Sequence, residues 1–194
     1  MKRLTLLAIA FVLTSAAYAQ TAAASAPMVL NADRAHSKLG FTVTHLSISE
    51  VDGSFNKFDA KVTTSKEDFS DAVFVLTADM REITTGNSGR DGHLKKPEMF
   101  NVDVDSMMTF KSTSITKVAD KKYTLKGDLN LKGVTKSVTL DLTLLGTTTS
   151  RDGKKIAGFK ASGTINRKDF GVGSGMPNAM LSENVELRAS GEFK

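Results

Sequence analysis

The stretch LKGDLNLKGVTKSVTLDLTL, residues 125–144, carries the clearest pattern in this chain, an alternation of apolar and polar side chains. In 125–131 every second residue is leucine or glycine, and in 138–144 every second residue is valine or leucine. A period of two is typical of a strand with one buried face. Lys132–Gly133 lies between the two segments and provides the turn. The stretch therefore predicts an antiparallel β-hairpin.

Similar alternation recurs along most of the chain. It is clear in 159–165 and 185–193, and it is weaker in 28–33, 39–46, 55–63, 72–80 and 108–116. Turn residues at Asp52–Gly53, 119–122 and Asp152–Gly153 separate several of these segments, and the Asp-Gly pairs supply the positive φ of tight hairpins. No segment is long enough for a crossover helix, so neighbouring strands are expected to pair antiparallel. The chain is predicted to be all-β, with eight or nine strands.

Two segments interrupt the alternation. Residues 65–69 predict a short polar turn, with Ser65 capping one helical turn. Residues 85–102 predict a long connection with a short helix near 92–100. Long connections in compact domains are often lids or binding loops, so 85–102 is a candidate for the functional site.

The first residues are typical of an export signal. Lys2 and Arg3 precede an apolar run, 4–13, that is too short to span a bilayer, and Ala17–Ala19 is a small-x-small cleavage site. We therefore predict a signal peptide over 1–19, a flexible leader over 20–27 and one domain over 28–194. No later apolar run reaches the length of a membrane span, so we expect no transmembrane segment after cleavage.

Composition excludes several classes of protein. The chain is 40% hydrophobic and 24% charged, which is too apolar for a disordered chain. It contains no cysteine, which excludes disulfides, thiolate metal sites and a cysteine nucleophile. Its formal charge of +5 is spread over interleaved acids and bases, a distribution that does not indicate nucleic-acid binding. An exported chain without disulfides must rely on its hydrophobic core for stability.

Small residues occupy many positions on the predicted inward faces. Two explanations stay open, because such residues leave room for a ligand inside a barrel, and because glycines let strongly coiled strands bend. The positions are Ala60, Ala78, Gly127, Ala161, Gly163, Ala189 and Gly191.

Few residues are candidates for chemistry. His36 and His45 are nine residues apart, so one strand would place them on opposite faces, and they form no metal-binding motif. Ser37 and His45 could join an Asp in a catalytic triad, but no nucleophile motif supports this. We therefore predict neither catalytic nor metal-binding residues, and we interpret Gly171–Gly175 as a flexible rim loop.

The densest polar cluster in the sequence is 90–93, Arg-Asp-Gly-His, within the irregular segment. Arg90 and His93 could hold the head group of a ligand by charge-assisted hydrogen bonds. The alternative is an internal network of Arg90 and Asp91 that pins the loop. Both interpretations stay open at this point.

Several separated blocks resemble the YceI-like family of lipid- and polyisoprenoid-binding proteins. The resemblance covers 29–194 in order, with two departures, namely Met107, where the family often has proline, and Asn166 beside Arg167. The blocks are His36-Ser37-x-Leu39-x-Phe41-x-Val43-x-His45-Leu46, Thr85-Gly86-Asn87 with 90–94, Phe110-x-Ser112, Leu125-x-Gly127-Asp128-Leu129-x-Leu131-x-Gly133-Val134-Thr135, Gly163-x-Ile165-x-Arg167-x-Asp169-Phe170-Gly171 and Val185-x-Leu187.

The resemblance implies an extended, lipocalin-like antiparallel β-barrel of about eight strands, with a short helical segment in a long connection. It implies a periplasmic protein that holds a polyisoprenoid, fatty acid or related amphiphile in the lumen and uses no other cofactor. An enzyme acting on an isoprenoid or quinone precursor, with His45 or His93 as its acid or base, and a stress-linked interaction protein stay open as alternatives, as does a homodimer.

On this reading we predict which residues contact the ligand. The head group is expected at Arg90, His93 and Arg167, and flexible methionines are expected to adapt the mouth, namely Met99, Met176 and Met180. The predicted lumen lining is Phe41, Val43, Phe58, Phe74, Leu76, Leu94, Phe100, Phe110, Leu129, Leu142, Phe159 and Ile165.

Overall fold

A computed structural model of the protein describes residues 26–194. The predicted signal peptide, 1–19, and the leader as far as residue 25 lie outside the described residues. The described chain forms eleven strands, namely β1 Met28–Asn31, β2 Lys38–His45, β3 Ser49–Phe55, β4 Phe58–Thr64, β5 Val73–Asp79, β6 Ile83–Thr84, β7 Met107–Ala119, β8 Lys122–Leu131, β9 Val134–Thr149, β10 Lys155–Asn166 and β11 Leu181–Phe193. The helical elements are α1, Ser88–Leu94, and three short 3₁₀ helices, Arg34–His36, Met80–Glu82 and Arg167–Phe170.

All eleven strands belong to one antiparallel sheet that curls into a half-barrel. The strand order is β1-β4-β5-β7-β8-β9-β10-β11-β2-β3-β6. The end of β1 also meets the end of β11, because Asn31 and Lys194 exchange two backbone hydrogen bonds of 2.9 Å. This junction brings the β4 side of the sheet against β11 at one end of the molecule, which we call the lower end.

The structure confirms the all-β fold and corrects the number of strands. Eleven strands are present rather than about eight. The sequence did not predict β3 or the two-residue β6, because neither segment shows clear alternation. The predicted turns at 119–122, Lys132–Gly133 and Asp152–Gly153 do connect strands, with Gly133 at φ 73° and Gly153 at φ 83°.

The predicted turn at Asp52–Gly53 was wrong, because both residues lie inside β3. Gly53 is paired with Phe41 of β2. A Cβ atom on Gly53 would lie 3.0 Å or less from three carbons of the Phe41 ring. Glycine is therefore required there for the close approach of a ring. The chain turns instead at Leu46 and Ser47, whose φ angles are 51° and 57°.

The helical predictions need similar corrections. Helix α1 covers Ser88–Leu94 rather than 92–100, because Asn87 caps it by accepting a hydrogen bond from the Arg90 N–H. Residues 65–69 form bends and a turn without a helix. There the Asp71 carboxylate accepts the Ser65 N–H at 3.0 Å. Among residues 26–194 no helix has the length and apolar character that crossing a bilayer would require.

Phenylalanine rings fill the lower part of the half-barrel. Phe159 lies at the centre, with edge-to-face contacts to Phe69, Phe74 and Phe193 at centroid distances of 5.1 to 5.5 Å. Such edge-to-face pairs add about 0.5–1.5 kcal/mol each beyond the burial of apolar area. The core therefore depends on ring packing, and the space left between the rings and the strands is apolar.

Candidate functional site

Two adjoining cavities run along the interior of the half-barrel. The lower cavity, near the junction of β1 and β11, has a volume of about 120 Å³. The upper cavity has a volume of about 250 Å³ and extends towards the β2–β3 hairpin and α1. Four residues line both cavities and mark the waist between them, namely Phe55, Met108, Leu129 and Leu187.

The predicted lumen residues separate into two groups. The lower cavity is lined by Phe58, Phe74, Leu76, Phe110, Leu142 and Phe159. The upper cavity is lined by Phe41, Val43, Leu94, Met99, Phe100, Ile165 and Met176. Leu129 lies at the waist, whereas Met180 lines neither cavity and is 46% exposed.

The structure adds lining residues that our list of predicted contacts missed. Several of them lie on inward faces that the alternation had already identified, so a complete reading of period two would have included them. They are Leu39, Leu125, Val138, Leu140 and Phe193 in the lower cavity, Leu131, Leu181 and Val185 in the upper cavity, and Leu187 in both.

The small inward residues have two different roles. Ala60, Ala161, Ala189 and Gly191 line the lower cavity. Gly127 and Gly163, for which room for a ligand was one of two explanations, are instead covered by neighbouring side chains. A Cβ atom would lie within 3.0 Å of the Phe110 ring at Gly127, and 2.6 Å from Leu140 Cδ2 at Gly163.

Arg90 and Asp91 form the pinning network that was the alternative to a head-group site. The Arg90 guanidinium donates to the Thr85 hydroxyl at 2.7 Å and to the Thr85 carbonyl at 2.9 Å. Asp91 accepts the Thr85 N–H at 2.8 Å, and the hydrogen bond from the Thr85 hydroxyl holds the pKa of this carboxyl below its usual value. These bonds attach α1 to the end of β6, with Arg90 and His93 in the wall of the upper cavity.

Arg167 is 3% exposed and lines the upper cavity. Its guanidinium donates to five backbone carbonyls, those of Val172, Gly173, Met176, Leu181 and Ser182. Burial lowers the pKa of this guanidinium. Its N–H groups hold the rim segment 171–182 in place, and the predicted contact with a head group stays a prediction. Carbonyl partners carry no net charge, so the positive charge of Arg167 remains beside the cavity.

Ser37 and His45 lie at opposite ends of β2 and on the same face as Leu39, Phe41 and Val43. Eight residues of strand separate them, about 26 Å at the usual strand rise. Ser37 lines the lower cavity and His45 the upper one. This distance is far too great for a nucleophile and its base.

The Ser37 hydroxyl is unusual in its hydrogen bonding. It is the one buried side-chain polar atom in residues 26–194 that has no hydrogen-bond partner. Its side chain lies against Gly191, where a Cβ atom would be less than 3.0 Å away. At this position the lower cavity is therefore lined by a hydroxyl that makes no hydrogen bond.

His36 belongs to an ion-pair cluster outside the cavities. Its Nδ1 lies 3.0 Å from Asp33 Oδ2 and 3.8 Å from Glu192 Oε2. In residues 26–194 this trio is the one cluster whose side chains could converge on a metal ion. However, the Lys194 ammonium already contacts the same Asp33 oxygen at 2.6 Å, so the cluster joins the chain before β2 to the end of β11.

Comparison with known proteins supports one family. The YceI-like domain model matches residues 30–193. The UPF0312 protein SA2479 of Staphylococcus aureus is 36% identical over 166 residues, covering 83% of this chain and 94% of its own length.

Solved structures with the same fold include the YCEI protein of Campylobacter jejuni, with 30% identity, a TM-score of 0.70 and coverage of 82% of this chain and 94% of its own. BcnA of Burkholderia cenocepacia has a TM-score of 0.75 at 21% identity and covers 83% and 98% of the two chains. A polyisoprenoid-binding domain of Saccharophagus degradans has a TM-score of 0.62 at 14% identity and covers 86% and 97%. With its fold, its interior cavities and these matches, the chain belongs to the YceI-like family.

Proposed function

We propose that this protein is a periplasmic carrier that holds one long apolar chain, a polyisoprenoid, fatty acid or related amphiphile, in its two adjoining cavities. The observation that carries the proposal is the lining, because the surface that faces the two cavities is almost entirely apolar, although polar residues are also present in their walls. Removing apolar surface from water is favourable by about 25 cal/mol per Å². The named activity of the Saccharophagus degradans domain, polyisoprenoid binding, agrees with this proposal.

The shape of the site favours a slender ligand. The cavities meet at a waist formed by Phe55, Met108, Leu129 and Leu187, and β2 runs past both. A bulky fused-ring ligand would require these side chains to move far, whereas a linear chain requires the smallest opening between them. Met99 and Met176 line the upper cavity, and their flexible thioethers adapt to chains of different shape.

The polar end of the ligand is best accommodated at the upper cavity. His45 and Arg90 are exposed there, and His93 is half-buried with its Nε2 3.2 Å from Glu98 Oε1. The buried charge of Arg167 adds a positive potential behind the wall. An anionic or strongly polar head group would therefore remain near water and near positive charge, with its apolar tail in the lower cavity.

A paired substitution on β11 tests this function. Ala189 lines the lower cavity, whereas Glu186 on the same strand is exposed and lines neither cavity. Ala189→Phe should fill the lower cavity and reduce binding of a fluorescent long-chain fatty acid at least about tenfold, because much of the buried tail surface is lost. Glu186→Phe should leave the affinity unchanged.

Extraction of the purified protein with organic solvent, followed by mass spectrometry, identifies the natural ligand. We expect a co-purifying long-chain lipid in the wild type and less of it in Ala189→Phe. The carrier function is refuted if the wild type yields no lipid and takes up neither an added polyprenol nor a fatty acid. If an added isoprenoid or quinone precursor is recovered chemically changed, the enzyme alternative is correct instead.

A further inference from the structure

The tip of the β2–β3 hairpin exposes apolar side chains. Ile48 is 84% exposed and Leu46 is 48% exposed. Met180, which precedes β11, is 46% exposed, and its carbonyl accepts the Leu46 N–H at 3.0 Å. We call Leu46, Ile48 and Met180 the apolar tip. The three residues lie close together on the surface, although they come from two separate segments.

The turn itself does not require apolar residues. Leu46 and Ser47 both have positive φ, and the Ile48 N–H closes the turn on the His45 carbonyl at 3.2 Å. Asn and Gly adopt this backbone more readily than Leu, whose β-carbon crowds the following carbonyl. Other hairpins of this sheet turn on polar residues and glycine, at Asp120–Lys121 and Lys132–Gly133. The apolar tip is therefore unfavourable for local structure, and its side chains are exposed to water.

The apolar tip lies at the opening of the upper cavity. His45 and Leu181 are paired across β2 and β11, and both line that cavity. Leu46 follows the first of them and Met180 precedes the second. His45 is exposed although it lines the cavity, so the cavity wall reaches the surface at this point.

We propose that the apolar tip docks the protein on a lipid surface, so that the upper cavity opens where a lipid enters or leaves. This inference rests on the proposed carrier function. A specific protein interface involves about 20–30 residues on each side, far more than the three side chains of the apolar tip. A lipid surface, in contrast, accepts a few apolar side chains without a complementary pocket. The tip residues carry no charge, so docking does not depend on anionic lipids.

A double variant with a matched control tests the docking. Leu46→Asn/Ile48→Ser removes two apolar side chains, and asparagine suits the backbone of the turn. Val118→Ser/Leu145→Ser removes two exposed apolar side chains that line neither cavity. The assay is transfer of a fluorescent fatty acid between phosphatidylcholine vesicles, with the affinity for the same probe measured in vesicle-free buffer.

The tip variant should transfer the fatty acid at least about tenfold more slowly than the wild type, because two side chains no longer enter the lipid. For the same reason, a smaller fraction of the variant should rise with the vesicles in a flotation assay on a density gradient. Its affinity for the free probe, and the transfer rate of the control variant, should match the wild type. Equal transfer rates for the tip variant and the wild type would overturn the docking proposal while leaving the carrier function intact. A wild type that binds no probe would instead refute the carrier function.

Discussion

Replacing Gly53 with alanine tests how this sheet positions a cavity side chain. Gly53 lies opposite Phe41, and a Cβ atom there would be 3.0 Å or less from three carbons of the Phe41 ring. Phe41 is 8% exposed and lines the upper cavity, so its ring has little free space except towards that cavity. Gly53→Ala should therefore push the ring into the upper cavity and reduce its volume.

Overpacking of a filled core costs about 1–3 kcal/mol, and we expect about 2 kcal/mol for Gly53→Ala. For a domain of this length that corresponds to a fall in Tm of about 4–8 °C. Urea and thermal unfolding measure both quantities, and displacement of a bound fluorescent fatty acid measures the accompanying loss of affinity.

Gly146→Ala is the matched control, because Gly146 also lies in a strand and no atom would be within 4 Å of its Cβ. We expect it to be neutral or slightly stabilising. In the Phe41→Leu background, Gly53→Ala should cost much less, since leucine lacks the outer ring atoms. A free energy of unfolding for Gly53→Ala within about 0.5 kcal/mol of the wild type would refute the reasoning. Changes that small are typical of surface substitutions, and the overlap of a new Cβ with the Phe41 ring should cost more.

Three further predictions concern the polar groups. Ser37→Ala should leave the free energy of unfolding unchanged or raise it by up to about 1 kcal/mol in urea titrations, because the hydroxyl has no partner to lose. Arg167→Met should lower it by about 3 kcal/mol and increase hydrogen exchange in the rim segment 171–182, since five carbonyls lose their donor. The hydrogen bond to Asp33 raises the pKa of His36, so the His36 contribution to stability is present below the unfolded pKa and is lost as pH rises through the folded one. The protection factors of the Asn31 and Lys194 amides, from which the intrinsic rise of exchange with pH has been removed, should therefore fall above about pH 6.5 in the wild type and stay constant in His36→Ala, whereas a wild-type profile in the variant would contradict the assignment.

Alternation predicted the inward faces of the strands because it is a local property. A period of two directs side chains to one face whatever the neighbouring strand is. Phe110, Leu129, Leu142 and Phe159 were predicted on this basis, and all four line a cavity. The missed β3 shows the limit of the method, because Ser49–Phe55 contains acids and glycine and pairs through its backbone with β2.

Polar residues were harder to interpret from the sequence. Arg90 and Arg167 were expected to contact a head group, and the sequence did not indicate that their N–H groups bind Thr85 and the carbonyls of the rim segment. A guanidinium has five donors, and its partners depend on which carbonyls the fold brings within reach. The alternation of apolar and polar residues along the sequence contains no information about such partners.

The sequence by itself determined the all-β class, the inward face of each alternating strand and the apolar character of the interior, because these depend on the order of neighbouring side chains. The tertiary structure alone decided that Gly53 accommodates a ring, that Arg167 supports the rim, and that the interior divides into two cavities with a waist. Each of these depends on residues far apart in the chain being brought together, such as Leu129 and Leu187, which both line the waist. Their distances are set by how the sheet curls and by how side-chain volumes fill it.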